Sequence, residues 1–178
     1  MLVTAGDDAG PAYAVLDIDG VLADVSHRVH HVAGRPKDWA AFFAAAPDDP
    51  LLPEGAELAG LLAAAGRTVV YLTGRPENCR TDTEAWLARH GLPPGPVHMR
   101  RSDDRRPARV TKVERLRSLA RHGRVTVVVD DDSAVIRAVR AAGFTAVHAT
   151  WLDGGTDGVD GSPVQPALFE AQELDGRT

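Results

Sequence analysis

Three short runs, Tyr13–Asp17 (YAVLD), Thr68–Leu72 (TVVYL) and Val125–Val129 (VTVVV), are rich in aliphatic and β-branched residues at consecutive positions rather than at every second one. A strand with one wet face alternates, whereas a strand covered on both faces does not. Longer Ala/Leu-rich segments with helical start and stop signals separate the runs. Pro53–Ala65 carries proline in its first turn and is followed by Gly66; Glu77–His90 is followed by Gly91 and Ser133–Ala142 by Gly143. Further expectations are a short amphipathic helix over Pro36–Ala46, a helix from about Val110 to Arg121, and two short strands, Val97–Met99 and Phe144–His148. Strands that alternate with helices imply parallel pairing through right-handed crossovers. The expected fold class is α/β: a central parallel sheet between two layers of helices.

The chain of 178 residues fits one domain able to bury a real core. The expectation is a single domain over 1–178, its core at about 12–150 and an irregular tail over 153–178, with one helical turn near Leu168. Cys79 is the only cysteine, which excludes an intramolecular disulfide and a cysteine metal cage and reads as a half-buried helix residue. The formal net charge of -5 excludes a basic nucleic-acid coat, although a local basic surface is compatible with it. The opening MLVTAGDDAGPAY has early acids and no apolar run, so no signal peptide is expected. No stretch approaches a membrane span, and a cytoplasmic location is the simplest expectation.

In a doubly covered parallel sheet the ligand lies beyond the carboxyl ends of the strands. Asp17-Ile18-Asp19-Gly20 ends the first run, Thr73-Gly74-Arg75 the second, and Asp130-Asp131-Asp132 follows VTVVV; Lys112 lies near the start of the helix between the last two. Each Asp alone reads as a turn or N-cap residue. Together they make a cleft of carboxylates that repel one another unless a divalent cation is bound. Oxygen donors without His or Cys suit Mg²⁺. The set also matches the needs of phosphoryl transfer. A carboxylate can attack phosphorus, a second can give and take the proton, and a hydroxyl and an ammonium can hold the phosphate oxygens. Gly20 lets the backbone turn tightly beside them.

On these residues the chain resembles the haloacid dehalogenase (HAD) superfamily of phosphatases. Four signatures stand in that family's order: VLDIDGVLAD, VVYLTGR, Lys112 within VTKVERL, and VVVDDDSAVIRAVRAAG, together covering about residues 13–150. The resemblance implies a Rossmann-like fold, bound Mg²⁺, Asp17 as nucleophile and Asp19 as acid/base. It implies phosphate binding by Thr73 and Lys112; Gly74 and Arg75 beside Thr73 join them as phosphate-binding candidates, Arg75 with a structural ion pair as its other reading. The metal would be held by Asp17, the backbone carbonyl of Asp19, Asp130 and Asp131. The family uses two acidic residues where this chain has three; the distance to Gly143 favours Asp130 and Asp131, and leaves Asp132 as a helix N-cap. A closer likeness is to the phosphatase domain of polynucleotide kinase-phosphatases, on SHRVHHV, PKDWAAFF, TGRPENCRTDTEAWLARHG and MRRSDDRRPARVTK. No P-loop GxxxxGK[ST] occurs, so a kinase half is not expected.

Other residues read more plainly. Asp24 is a turn residue; His27, His30 and His31 are loop or substrate-proximal residues; Trp39, Phe42 and Phe43 lie at helical spacing and read as core, with Trp39 also placed to rim a cleft. Half of the chain's 20 Lys and Arg fall between Arg100 and Arg124. Their helical part reads as a solvated face. The loop part, with Arg105, Arg106 and Arg109, reads as a substrate-binding element. A phosphorylated small molecule or a nucleic-acid end is the expected partner. Little or no cap domain has room between the motifs, so the site is expected to be open, and an oligomer is compatible with that. Alternatives are a phosphatase of small metabolites and a non-enzymatic receiver-like module. Receivers place their acidic pair before the phosphorylated Asp, whereas here DxDG comes first and the acidic cluster last.

Overall fold

The structure is a computed structural model that describes residues 10–152; the expectations for the tail lie outside that range. Five strands, β1 (Ala12–Leu16), β2 (Thr68–Pro76), β3 (Val97–Arg100), β4 (Arg124–Asp130) and β5 (Ala146–His148), form one sheet in the order β3-β2-β1-β4-β5. Every pairing is parallel. The helices are α1 (His30–Ala33), α2 (Trp39–Ala44), α3 (Pro53–Ala64), α4 (Arg80–Arg89), α5 (Ala108–Leu119) and α6 (Ser133–Ala141). This is the expected α/β Rossmann-like architecture.

The continuous apolar runs work as both-faced strands. Ala14, Leu16, Val69, Tyr71 and Val129 enter a core with Ala59 of α3 and Trp86 and Leu87 of α4. Their neighbours Val15, Val70, Leu72 and Val128 enter a second core with Val113 and Leu116 of α5 and Val135 and Val139 of α6. Successive strand residues point to opposite faces, so each run feeds two helix layers. A third, smaller cluster of Val25, Val29, Val32, Trp39 and Phe42 holds the arm between β1 and α3, as the aromatic spacing predicted.

Several boundaries differ from the sequence reading. The strand expected over Thr68–Leu72 continues through Thr73-Gly74-Arg75 to Pro76, because Pro76 registers with Arg100 of β3. The helix expected over Pro36–Ala46 is shorter: Asp38 caps it by accepting the Ala41 N–H, and a 3₁₀ turn, Ala46–Asp48, follows. SHRVHHV, read as loop, forms a 3₁₀ turn and α1. Between β1 and α3 there are only these short pieces, so no separate cap layer exists among the described residues. None of their helices is long and apolar enough to cross a membrane.

The strand order places the site. From β1 the chain adds β2 and β3 on one side, then crosses to add β4 and β5 on the other. The two connections diverge between β1 and β4, and a crevice opens there at the carboxyl ends. Leu16 registers with Val129, and the Asp17 N–H donates to the Val129 carbonyl at 2.9 Å, so Asp17 and Asp130 leave the sheet side by side.

Candidate active site

At this crevice Asp17, Asp130 and Asp131 are all buried, and each offers a carboxylate oxygen within 4.8 Å of the others. Lys112, reaching in from α5, places its Nζ 2.7 Å from both Asp17 Oδ2 and Asp130 Oδ2. The other Asp17 oxygen accepts the Ile18 N–H at 2.7 Å. Three carboxylates face one ammonium, so the cluster carries a formal surplus of two negative charges. Burial pushes the Asp17 pKa up to about 7, and the neighbouring carboxylates of Asp130 and Asp19 add to that against the pull of Lys112. Asp130 and Asp131 are raised as well, first by burial, and Lys112 is raised because its two carboxylates outweigh its desolvation. The donor set is oxygen-only, buried and short of positive charge, which fits a hard divalent cation. Asp17, Asp130 and Asp131 are thus a group that could hold a metal ion.

Backbone geometry builds this cluster. Gly20 has φ +75°, and a Cβ there would lie 1.8 Å from Asp131 Oδ2, so only glycine lets the DxDG turn pass beneath that carboxylate. Gly55 brings α3 against the same turn: a Cβ would lie 1.9 Å from the Val21 carbonyl oxygen. Asp132 is turned away from the cluster. Its carboxylate caps α6, accepting the Ala134 N–H at 2.7 Å and the Val135 N–H at 3.4 Å. The pair sharing the crevice with Asp17 is therefore Asp130 and Asp131.

Asp19 belongs to a second charged group. Its Oδ1 accepts from Arg28 Nη2 at 2.8 Å and from Arg75 Nε and Nη2 at 2.9 and 2.6 Å. Burial works against its charge, but the two guanidiniums overcome that and lower its pKa to about 2. Beneath them lies Asp49, its side chain wholly buried. Asp49 Oδ1 accepts from Arg28 Nε at 2.6 Å, and Oδ2 from Arg28 Nη2 and Arg75 Nη2, both at 2.7 Å. His27 Nε2 lies 2.8 Å from Asp49 Oδ1, Arg28 packs over the Phe42 ring at 4.1 Å, and the Trp86 indole donates to the Asp49 carbonyl at 2.9 Å. Two guanidiniums thus sit between two carboxylates, and Asp19 is the outer one.

Arg75, beside Thr73, was read as a substrate-binding or ion-pairing residue, and the structure shows it ion-paired with Asp19 and Asp49. Arg28 and Asp49 were missed. The one signal for Arg28 was its place among the histidines of SHRVHHV; Asp49 had none, since an acid in a Pro-rich turn reads as solvated. Thr73 is buried and accepts the Arg75 N–H at 3.1 Å; Gly74 follows it in β2. In the basic loop, Arg106 is held by Asp104 at 2.7 Å and Glu114 at 2.8 Å, Arg105 is exposed, and Arg109 is half-buried in the first turn of α5. Asp24 accepts from Ser26 and serves as the turn residue expected.

Against known proteins, residues 11–151 match the family model of the polynucleotide kinase PNKP phosphatase domain. Among solved structures, the chain is similar to one in the Pnkp1/Rnl/Hen1 RNA repair complex, with 24% identity and a TM-score of 0.65 over 82% of this chain and 44% of that one. It is also similar to a class C acid phosphatase from Bacillus anthracis with tungstate bound, with 18% identity and a TM-score of 0.60 over 82% of this chain and 69% of that one. Such identities bear on the fold. The chain spans less than half the length of the RNA-repair chain it matches. No curated protein sequence matches it.

Proposed function

The chain belongs to the family of polynucleotide kinase PNKP phosphatase domains, within the HAD superfamily, and is a phosphatase, and from that premise we propose a Mg²⁺-dependent phosphomonoesterase with Asp17 as covalent nucleophile. One observation carries the reading: Lys112 bridges Asp17 and Asp130 at 2.7 Å each, inside a buried carboxylate trio with surplus negative charge. Lys112 holds one Asp17 oxygen and the Ile18 N–H the other, which orients the carboxylate for in-line attack. Asp17 bonds to phosphorus as the bond to the leaving oxygen breaks, giving an aspartyl-phosphate and an alcohol. Thr73, Gly74, Lys112 and Arg75 are the proposed phosphate-binding set.

Asp19 supplies the proton to the leaving oxygen and then takes one from the water that releases phosphate and restores Asp17. Held by Arg28 and Arg75, Asp19 is ionised, which suits it as the base of the second step. Serving as acid in the first requires it to exchange the guanidiniums for the substrate and to take up from solvent the proton it passes to the leaving oxygen. Asp17, Asp130, Asp131 and the Asp19 carbonyl would hold Mg²⁺, which when bound neutralises charge on the phosphate oxygens.

The proposed substrate is a nucleotide or polynucleotide bearing a 3′-phosphate. The likeness to an RNA-repair chain and the basic loop with Arg105, Arg106 and Arg109 support this. A small-metabolite phosphatase is the second reading, favoured by the pairing of Arg101 and Arg106 with nearby acids. Family membership disposes of the receiver-like alternative.

Asp17→Asn tests the mechanism. It should abolish phosphate release with Mg²⁺ while the protein stays folded, and beryllofluoride should bind wild type alone. Retention of more than about a tenth of the activity would exclude covalent catalysis at Asp17. Steady-state comparison of nucleoside 3′- and 5′-phosphates, 3′-phosphorylated oligonucleotides and sugar phosphates separates the two substrate classes.

A further inference from the structure

Between the end of β3 and α5 lies a cleft of about 210 Å³, of which the reaction above uses only the edge formed by Thr73 and Lys112. Thr73 and Lys112 line it, and Lys112 is the residue whose Nζ rests on Asp17, so the cleft begins one lysine side chain from the nucleophile. Leu72 and Met99 give it apolar lining. Arg115 and Ser118 reach it from one face of α5, with Thr111 at the same helical spacing.

Its charges are arranged in an informative way. Arg100 donates to the carbonyls of Arg106 at 2.9 Å and Asp104 at 3.4 Å, which fixes the shape of the loop. Arg101 pairs with Asp103, and Arg106 with Asp104 and Glu114. Guanidiniums compensated in this way no longer attract phosphates over a distance, but they keep flat faces on which a heterocycle can stack. The Arg115 side chain, on α5, lies near Glu77 and His98 without a hydrogen bond to either. The volume falls below the roughly 300–1,000 Å³ of pockets that take whole drug-sized ligands, so the cleft suits one ring system rather than a strand.

We infer that this cleft is a nucleoside subsite. With the scissile phosphate at Asp17, the heterocycle of the leaving nucleoside lies against Met99 and the guanidinium faces, and Arg115 donates to its acceptor atoms. The inference rests on the nucleotide reading of the substrate and narrows it: recognition is by one base beside the phosphate, not by a tract of phosphodiesters.

The chain has two methionines, Met1 and Met99, so methyl-labelled protein gives a direct readout. Adenosine 3′-monophosphate added to the full-length Asp17→Asn protein with Mg²⁺ should shift the Met99 methyl signal, and ribose 5-phosphate should not. Ser118→Trp, which fills the cleft from the helix side, should lower the ratio of kcat/KM for nucleoside 3′-phosphates to that for acetyl phosphate about tenfold. Arg115→Ala should lower the same ratio. If wild type hydrolyses nucleotides while the Met99 signal and both ratios stay unmoved, the subsite is wrong and the proposed function stands. If wild type hydrolyses acetyl phosphate and sugar phosphates but no nucleotide, the substrate class itself fails and the subsite with it.

Discussion

Replacing Asp49 by Asn tests whether the buried ion group holds this site together. The substitution keeps shape and removes one charge, leaving Arg28 and Arg75, 0% and 1% exposed, to share the single carboxylate of Asp19. No rotation of the new amide repairs this. Oδ1 faces Arg28 Nε and His27, and Oδ2 faces the Nη2 atoms of both arginines, so the NH₂ group meets a guanidinium donor in either orientation. Burial raises the Asp49 pKa, and three guanidinium N–H contacts at 2.6–2.7 Å pull it back toward the charged form. Breaking a buried pair by removing one partner costs about 3–5 kcal/mol. For a chain of this size that corresponds to a fall in Tm of about 6–20 °C. Thermal unfolding followed by tryptophan fluorescence is the assay, helped by the Trp86 indole's bond to the Asp49 carbonyl. Asp48→Asn, one residue away and exposed, should change stability by less than about 0.5 kcal/mol. Equal Tm values for the two variants would refute the argument, because Asp49 would then not be holding the guanidiniums.

The adjacent acids should separate by function. EDTA should silence the enzyme and Mg²⁺ restore it. Asp130→Ala should raise the Mg²⁺ concentration for half-maximal activity, whereas Asp132→Ala should leave it alone and cost about 1 kcal/mol of stability through the lost α6 cap; the reverse ranking in a Mg²⁺ titration would move the metal site to Asp132. Tyr71, 1% exposed and donating to the Pro93 carbonyl at 2.6 Å, has its pKa pushed up to about 12 by burial. The unfolded phenol loses its proton near pH 10 and the folded one near 12, so stability is full below pH 10 and falls between 10 and 12, by roughly 2–3 kcal/mol. Tyr71→Phe should remove that part of the alkaline slope in urea melts at pH 9 to 12, and an unchanged slope would show that Tyr71 is not its source.

What was legible in the sequence follows from which interactions are local. Apolar strand runs and the glycines after helices act within a few residues, so the sheet and α3 to α6 could be read directly. Asp17, Asp19, Thr73 and Asp130 could be read as neighbours because strand ends collect at one edge of a parallel sheet, and Lys112 because the helix after β3 starts at that edge. The arm between β1 and α3 was not, since its order comes from Arg28, Phe42 and Asp49 meeting across 14 and 21 residues of chain. A buried arginine and an exposed one look alike in a sequence. The extension of β2 through Arg75 was hidden for a related reason: it depends on pairing with Arg100, 24 residues beyond Pro76.

The two charged groups have opposite characters, and that contrast accounts for the construction of the site. Arg28, Arg75, Asp19 and Asp49 carry two positive and two negative charges, closed by hydrogen bonds and packed on Phe42. Such a group is not short of positive charge, so it has little to gain from a cation, and it fixes Asp19 from behind. Asp17, Asp130 and Asp131 with Lys112 carry three negative charges against one. Burial first, and then the neighbouring carboxylates of Asp130 and Asp19, raise the Asp17 pKa to about 7 against the pull of Lys112, unlike that of Asp19 two residues on. A divalent cation would bring this second group to formal neutrality and favour the ionised form of Asp17 that the proposed attack requires. The balanced group therefore serves first to hold the fold and Asp19, and the unbalanced one has the charge to take a cation. Removing Asp49 should act first on stability, and removing Asp130 first on metal affinity.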